Sequence, residues 1–386
     1  MNDLERFVDD TLSRLEEAGL LRSSELVLRR RAQAGAERGG RELLDAASND
    51  YLGLTRTDVS RETLVQSHAA VGAGASRLIH GTHAEHLALE RELADWTGFE
   101  ASLLFATGYS ANVGLAQALG GPSTVLVSDA LNHASIIDGC RLTRARVEVV
   151  PHLSIESVER CLAEHRAADL RCVVTESYFS MDGDGPDLGA LRAACDRQGA
   201  ALVVDEAHSL GVFGPAGSGR CRAAGVVPDV LVGTLGKAVG AQGAFVASSP
   251  RLRELLWNRA RSFVFSTAPS PLLCEVARFH VQRTRDAGVL RARLDERTAA
   301  LRTALAGARI SVVPGSFGPI VPVLIGDERR ALAVVENLAD AGILAQAIRA
   351  PTVPPNAARV RLTVKATWPD DAPHRIASTL ADSLHS

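Results

Sequence analysis

Between Ser102 and Ser249 the chain repeats one pattern seven times: a short run of β-branched and other apolar residues, followed in most cases by a stretch with helical spacing. The runs are SLLFAT from 102, TVLVSD from 124, RVEVV from 146, RCVVTES from 171, ALVVDEAHS from 201, DVLVGTLGK from 229 and GAFVASS from 243. Strands that are apolar on both faces and separated by helices predict a mostly parallel seven-stranded sheet covered on both sides, an α/β fold. In such sheets the functional site lies beyond the carboxyl ends of the strands. Glu176, Asp205, His208 and Lys237 fall there.

This large domain is expected over 46–285, preceded by an arm at 1–45. Leu4, Phe7, Val8, Leu12 and Leu15 recur at helical spacing, and a basic, Gly-rich connector at Arg29–Gly40 follows them. After a helical stretch at 270–308 the pattern changes to separate strands, in ARISVVP, PIVPVLIG and RVRLTVK, mixed with helices at 328–341 and 371–384. A smaller C-terminal α+β domain over 286–386 is the expectation. The length of 386 residues suits two cores. The first ten residues include four acidic ones and lack a basic segment followed by an apolar one, so a cytoplasmic protein is expected, with no membrane span. A net charge of −3 gives no global polyanion-binding surface, and no nucleic acid partner is expected. Six Cys without a C-x-x-C pair argue against a zinc ribbon or a disulfide scaffold and read as buried thiols.

Three motifs invite chemistry that their surroundings exclude. Asp205-Glu206-Ala207-His208 spells DEAH, but nucleotide hydrolysis needs a G-x-x-x-x-G-K-[ST] loop, and Gly233–Ala238 has the wrong spacing and no metal-binding hydroxyl. Gly72-x-Gly74 is followed by Arg77 where a dinucleotide fingerprint needs its third Gly. His80, His83 and His86 hold no i,i+4 pair that would aim two imidazoles at one ion, which favours substrate lining or helix capping over a metal; no metal is expected.

Lysine is the informative residue type. Of 42 basic residues only Lys237 and Lys365 are Lys, and an always-protonated Arg can neither attack as a neutral amine nor form a Schiff base. Lys237 sits in a glycine-flanked turn after one predicted strand, and Asp205 and His208 follow the strand before it. Gly108-Tyr109-Ser110 opens a helix after a third and offers free N–H groups to a phosphate. A Lys for a carbonyl, an Asp for a protonated ring nitrogen and a helix N-terminus for a phosphate together suit pyridoxal 5'-phosphate.

Seven segments in order resemble the α-oxoamine synthases, fold type I pyridoxal phosphate transferases. They are Ser48–Gly53, Thr107–Asn112, His133–Ser135, Ser180–Asp184, Asp205–Ser209, Thr234–Lys237 and Pro351–Pro354. The resemblance implies that Lys237 carries the cofactor, Asp205 keeps its ring nitrogen protonated, His133 stacks on the ring, and His208 and Ser180 stand near its phenolic oxygen. It places Gly108, Tyr109 and Thr234 at the phosphate. Arg361, assisted by Asn49, would bind the amino acid carboxylate, with Arg22 and Thr352 on the substrate side. Phe265–Ala268 resembles a stretch whose Thr267 reaches the phosphate of a neighbouring subunit, which implies a homodimer with shared active sites. Ile348–Pro354 and the short length resemble the biotin-pathway branch, which implies condensation of L-alanine with a pimeloyl thioester borne by coenzyme A or acyl carrier protein. The runner-up reading is glycine C-acetyl transfer. A non-catalytic binding subunit of the same fold is the reading from another class, and it has no need of Lys237, Asp205, His133 and Arg361 together.

Overall fold

The seven apolar runs form the seven strands of one sheet. In the computed structural model, which describes residues 2–17, 20–21, 27–29, 35–56, 67–350 and 352–385, these are β4 (Ala101–Phe105), β5 (Thr124–Asp129), β6 (Arg146–Val150), β7 (Leu170–Glu176), β8 (Ala201–Asp205), β9 (Val230–Thr234) and β10 (Ala244–Ser248). They follow β1 (Val27–Arg29), β2 (Gly35–Arg38) and β3 (Arg41–Asp45). The order across the sheet is β4-β10-β9-β8-β7-β5-β6, and only β10 runs antiparallel to its neighbours.

Alternate residues of each strand feed two helical layers. Leu103 and Phe105 of β4 pack with Ala111 and Leu115 of helix Gly108–Leu119, whereas Leu104 between them packs with Leu89, Leu93 and Val281 of helices Ala84–Thr97 and Pro271–Arg285. All six residues of β5 are buried, as burial on both faces requires. Strand β6 is one edge, and Arg146 and Glu148 give it the charges that discourage pairing with another chain.

The C-terminal part packs around a separate core. Helices Gly288–Gly307, Glu328–Asp340 and Ala372–His385 cover a small antiparallel sheet of β11 (Ile320–Gly326), β14 (Ala358–Thr363) and β13 (Gln346–Ile348). Tyr51, Leu52 and Trp368 belong to this core. ARISVVP forms no strand; Arg309 takes a positive φ of 58° where the preceding helix ends, and Val312 makes only an isolated bridge to Val323. The N-terminal arm also differs from expectation. Strands β2 and β3 form a hairpin over part of the expected connector, β1 pairs with β2, and β3 lies parallel to β12 (Ile343–Leu344). Residues 27–29 and 35–45 therefore join the C-terminal part through a sheet, and among the described residues before them helix Asp3–Glu17, with no buried residue, has the character of an arm. Among the described residues no helix is long and apolar enough to cross a membrane.

Candidate active site

The carboxyl ends of β4, β5, β7, β8 and β9 surround a cavity of about 170 Å³, lined by Gly108, Tyr109, Asn112, His133, Glu176, Asp205, Thr234 and Lys237 among others. Parallel strands bring these residues together from five separate stretches of sequence. Thr107 caps helix Gly108–Leu119 by accepting from Ser110 N at 3.1 Å, so the Gly108 and Tyr109 N–H groups of the first turn lie at the cavity wall. A Cβ on Gly108 would stand 3.8 Å from the Thr234 side chain, so the two form one corner. Tyr109 is exposed, and its hydroxyl donates to Asp138 Oδ2 at 2.6 Å.

Asp205, at the end of β8, is buried with two neutral donors on its carboxylate: Asn112 Nδ2 at 2.7 Å and Ala207 N at 2.8 Å. It makes no ion pair among the described residues. A buried carboxylate beside a cavity, satisfied only by neutral groups, is a place for a cationic ring N–H. Asn112 also donates to Ser135 Oγ at 2.9 Å, and Ser135 Oγ bonds His133 Nδ1 at 2.7 Å, so Asp205 and His133 share one network. The His133 ring is open to the cavity, and the surrounding protein and the Lys237 charge hold it below its ordinary value, which makes it a neutral ring.

Burial pushes the Lys237 amine down, while Asp205 and Glu176 pull it up, and the downward effect wins. Burial and then the Asp205 charge push the Glu176 carboxyl up. Glu176 stands beside Asp205 in the β7–β8 register and accepts the His133 backbone N–H at 2.7 Å. His208 is buried, bonded through Nδ1 to Tyr51 Oη at 2.7 Å, and held well below its usual range by burial and then by Lys237 and Arg361. Its ring is neutral.

Arg361 of β14 is buried; its Nε donates to the Ser180 carbonyl at 2.5 Å and its Nη2 to Asn49 Oδ1 at 2.9 Å. Arg359, two residues earlier on the same strand face, pairs with Asp182. Asn49, expected to assist Arg361, thus bonds it, whereas Ser180, expected with His208 near the phenolic oxygen of the cofactor, meets Arg361 through its carbonyl. Lys365 lies elsewhere: its Nζ bonds Asp45 Oδ2 at 2.7 Å, deep in the C-terminal core. His83 and His86 cap helix Ala84–Thr97, with His86 Nδ1 accepting from His83 N at 3.0 Å. Among the described residues no group of three or more His, Cys, Asp or Glu could hold a metal ion, and all six Cys are free and buried.

Thr352 is exposed, its N–H bonded to the Arg349 carbonyl at 3.0 Å, and is not among the residues lining the cavity. Thr267 is exposed on a segment that bridges Ser76 and is not among the residues lining its own chain's cavity. Arg22 lies outside the described residues. Sequence reasoning gave no role to Asn112, Ser135 or Tyr51, although each stands inside a motif it singled out, nor to Glu176, which only its strand-end position marked.

Fold and site define an enzyme that works with pyridoxal phosphate, and the chain belongs to the class I and II aminotransferase family, whose model matches residues 41–380. A solved neighbour matched at a TM-score of 0.89 holds this cofactor. Within the family, the chain is 42% identical over 383 residues to the 8-amino-7-oxononanoate synthase of Geobacter sulfurreducens, covering 97% of each. It is 45% identical over 332 residues to the 8-amino-7-oxononanoate synthase of Anaeromyxobacter dehalogenans, covering 85% of this chain and 83% of that one. Its fold matches the serine palmitoyltransferase of Sphingomonas wittichii with a TM-score of 0.89 at 27% identity, over 99% and 98% of the two chains.

Proposed function

We propose that this chain condenses L-alanine with a pimeloyl thioester to give 8-amino-7-oxononanoate, a step of biotin biosynthesis. A bond forms between alanine Cα and the acyl carbonyl carbon, the carbon–sulfur bond breaks to release the thiol, and the alanine carboxyl leaves as carbon dioxide. The observation that carries this reading is 42% identity across 97% of both chains to a relative of that name, together with a cavity holding Lys237, Asp205 and His133.

Bound pyridoxal phosphate supplies an electron sink that makes the Cα hydrogen of an attached amino acid acidic. The residues present fit it, and their roles are ours to propose. Lys237 would hold the cofactor through its amine. The same amine, its basicity moderated by burial, would serve as the base beside the Cα of a bound amino acid. Asp205 holds a proton on the ring nitrogen, and Asn112 keeps its carboxylate aimed. His133 presents a neutral ring face for stacking, and Ser135 fixes its orientation. Gly108, Tyr109 and Thr234 take the phosphate at the helix N-terminus. His208, oriented by Tyr51, and Ser180 would hold the phenolic oxygen. Arg361 binds the substrate carboxylate as a fork, steered by Asn49. Arg22 and Thr352 act on the acyl side, and a second copy of the chain brings Thr267 to the phosphate.

The test is a matrix of L-alanine, glycine and L-serine against acetyl, succinyl, pimeloyl and palmitoyl thioesters, each on coenzyme A and acyl carrier protein, read by thiol release and product mass. Each buried methylene contributes about 0.8 kcal/mol, so pimeloyl should exceed acetyl in kcat/KM by at least about a hundredfold. One methyl separates alanine from glycine, and that preference should be about ten- to two-hundredfold at most. A best rate with glycine and acetyl-CoA would replace this reading by acetyl transfer, and one with serine and palmitoyl thioester by sphingoid-base synthesis.

A further inference from the structure

At the carboxyl ends of β5 and β6 lies a charged cluster with no place in the roles above. His152 follows β6; its Nδ1 meets Asp129 Oδ1 at 2.8 Å, and its Nε2 lies 3.2 Å from Asp184 Oδ2. The next residue, Leu153, takes a φ of +58°, a left-handed conformation costly for a bulky side chain. That backbone is held because Leu153 N donates to Asp129 Oδ2 at 2.9 Å. The strain therefore stands next to the group it places.

Asp184 closes a tight turn. Its carbonyl accepts Phe179 N at 2.8 Å, the Gly183 N–H returns to the Phe179 carbonyl at 3.0 Å, and the Phe179 ring meets the His152 ring edge-on with centroids 4.5 Å apart. Gly183 has a φ of +63°, and a Cβ there would lie 2.7 Å from the Ile320 carbonyl oxygen. The turn is thus pinned to the C-terminal part on one side and to His152 on the other. At its apex are the Ser180 carbonyl, which holds Arg361 Nε, and Asp182, which holds Arg359.

We propose that His152 is a positioning residue for amino acid recognition: by bridging Asp129 and Asp184 it fixes the Phe179–Asp184 turn, and through the Ser180 carbonyl it sets the Arg361 guanidinium that receives the substrate carboxylate. This rests on the reading of Arg361 given above. The charged groups that face His152 are Asp129 from the end of β5 and Asp184 from the turn; the ring between them is a cation at neutral pH, raised by those two carboxylates against the opposing effect of its burial. Without that cation two carboxylates face each other, and like charges drive the turn away from β5.

Equilibrium binding to the holoenzyme separates positioning from general support. L-alanine carries the carboxylate; ethylamine offers the same amine without it. In His152→Gln, and in Asp184→Asn as a second variant of unchanged size, the dissociation constant for L-alanine, read from the cofactor's absorption, should rise about tenfold. That for ethylamine should stay within about twofold, and cofactor content should equal that of the unmodified enzyme. Alanine binding unchanged in both variants, or alanine and ethylamine weakened alike, overturns the role of His152. Arg361→Met is the control: if it leaves L-alanine binding intact, the carboxylate site itself is misplaced and the proposal falls with it.

Discussion

Two lysines in one chain have opposite fates, and an ion pair separates them. Lys365 is locked to Asp45 and Ser48 in the C-terminal core, where burial pulls the Asp45 carboxyl up but the Lys365 charge prevails and holds it at about 2. Lys237 reaches a cavity and has no such partner at ion-pair distance among the described residues. Borohydride treatment should therefore fix the cofactor to Lys237 alone, as peptide mass spectrometry would show, and Lys237→Ala should lose the covalent link and nearly all turnover while remaining folded. A label on Lys365 would sink the assignment. Lys365→Met leaves Asp45 buried without its cation and should cost about 3–5 kcal/mol in denaturant unfolding, with little effect on cofactor attachment in the fraction that folds. The scarcity of lysine made Lys237 legible in the sequence. Asn112 and Ser135 were not, because a neutral amide or hydroxyl shows its use only when a distant chain segment brings it a partner, here Asp205 from the end of β8.

Elements were legible where pattern and environment agree. Six of the seven central strands carry apolar residues on both faces because helices cover both faces, and the sequence pattern records that burial directly, whereas edge strand β6 alternates charges with its valines. The hairpin of β2 and β3 was hidden because GAER and RELLD are short and charged, and β3 owes its place to β12, some 300 positions downstream. The converse error fell on ARISVVP, whose strand-like composition yields to the turn at Arg309. The connection from β6 carries a prediction of its own. His152 is raised from 6.5 to about 10, since its two carboxylates outweigh its burial. A folded-state value above the unfolded one means that this contribution to stability is complete below pH 6.5 and disappears as the pH rises through 10. Denaturant midpoints measured between pH 6.5 and 10.5 should fall more steeply for the unmodified protein than for His152→Gln. Parallel curves would show that the His152 cation does not support the fold.

At the scale of the molecule, the exposed surface indicates what a single copy leaves unfinished. Val71, Ile79 and Phe265 are 78%, 77% and 72% exposed, and they lie on two segments joined by the Ser76–Thr267 bridge and by the Ala268 N–H on the Ala75 carbonyl at 2.9 Å. Large apolar side chains on adjoining segments favour burial against another surface, and Thr267 sits on one of those segments and does not line its own cavity. A two-fold dimer places the same segment of each copy against the other, so two equivalent cavities would each receive a Thr267 from the opposite chain. Sedimentation should therefore give a particle of about twice 40.8 kDa. A sharper test mixes two impaired variants, Lys237→Ala and Thr267→Arg, unfolding and refolding them together. In a shared-site dimer one cavity of each hybrid carries both substitutions and the other carries neither, so activity should return to about a quarter of the unmodified level in an equal mixture, half of the dimers being hybrids with one intact site each. A fully active monomer, or mixing that restores nothing although hybrids form, would show that each chain completes its own site.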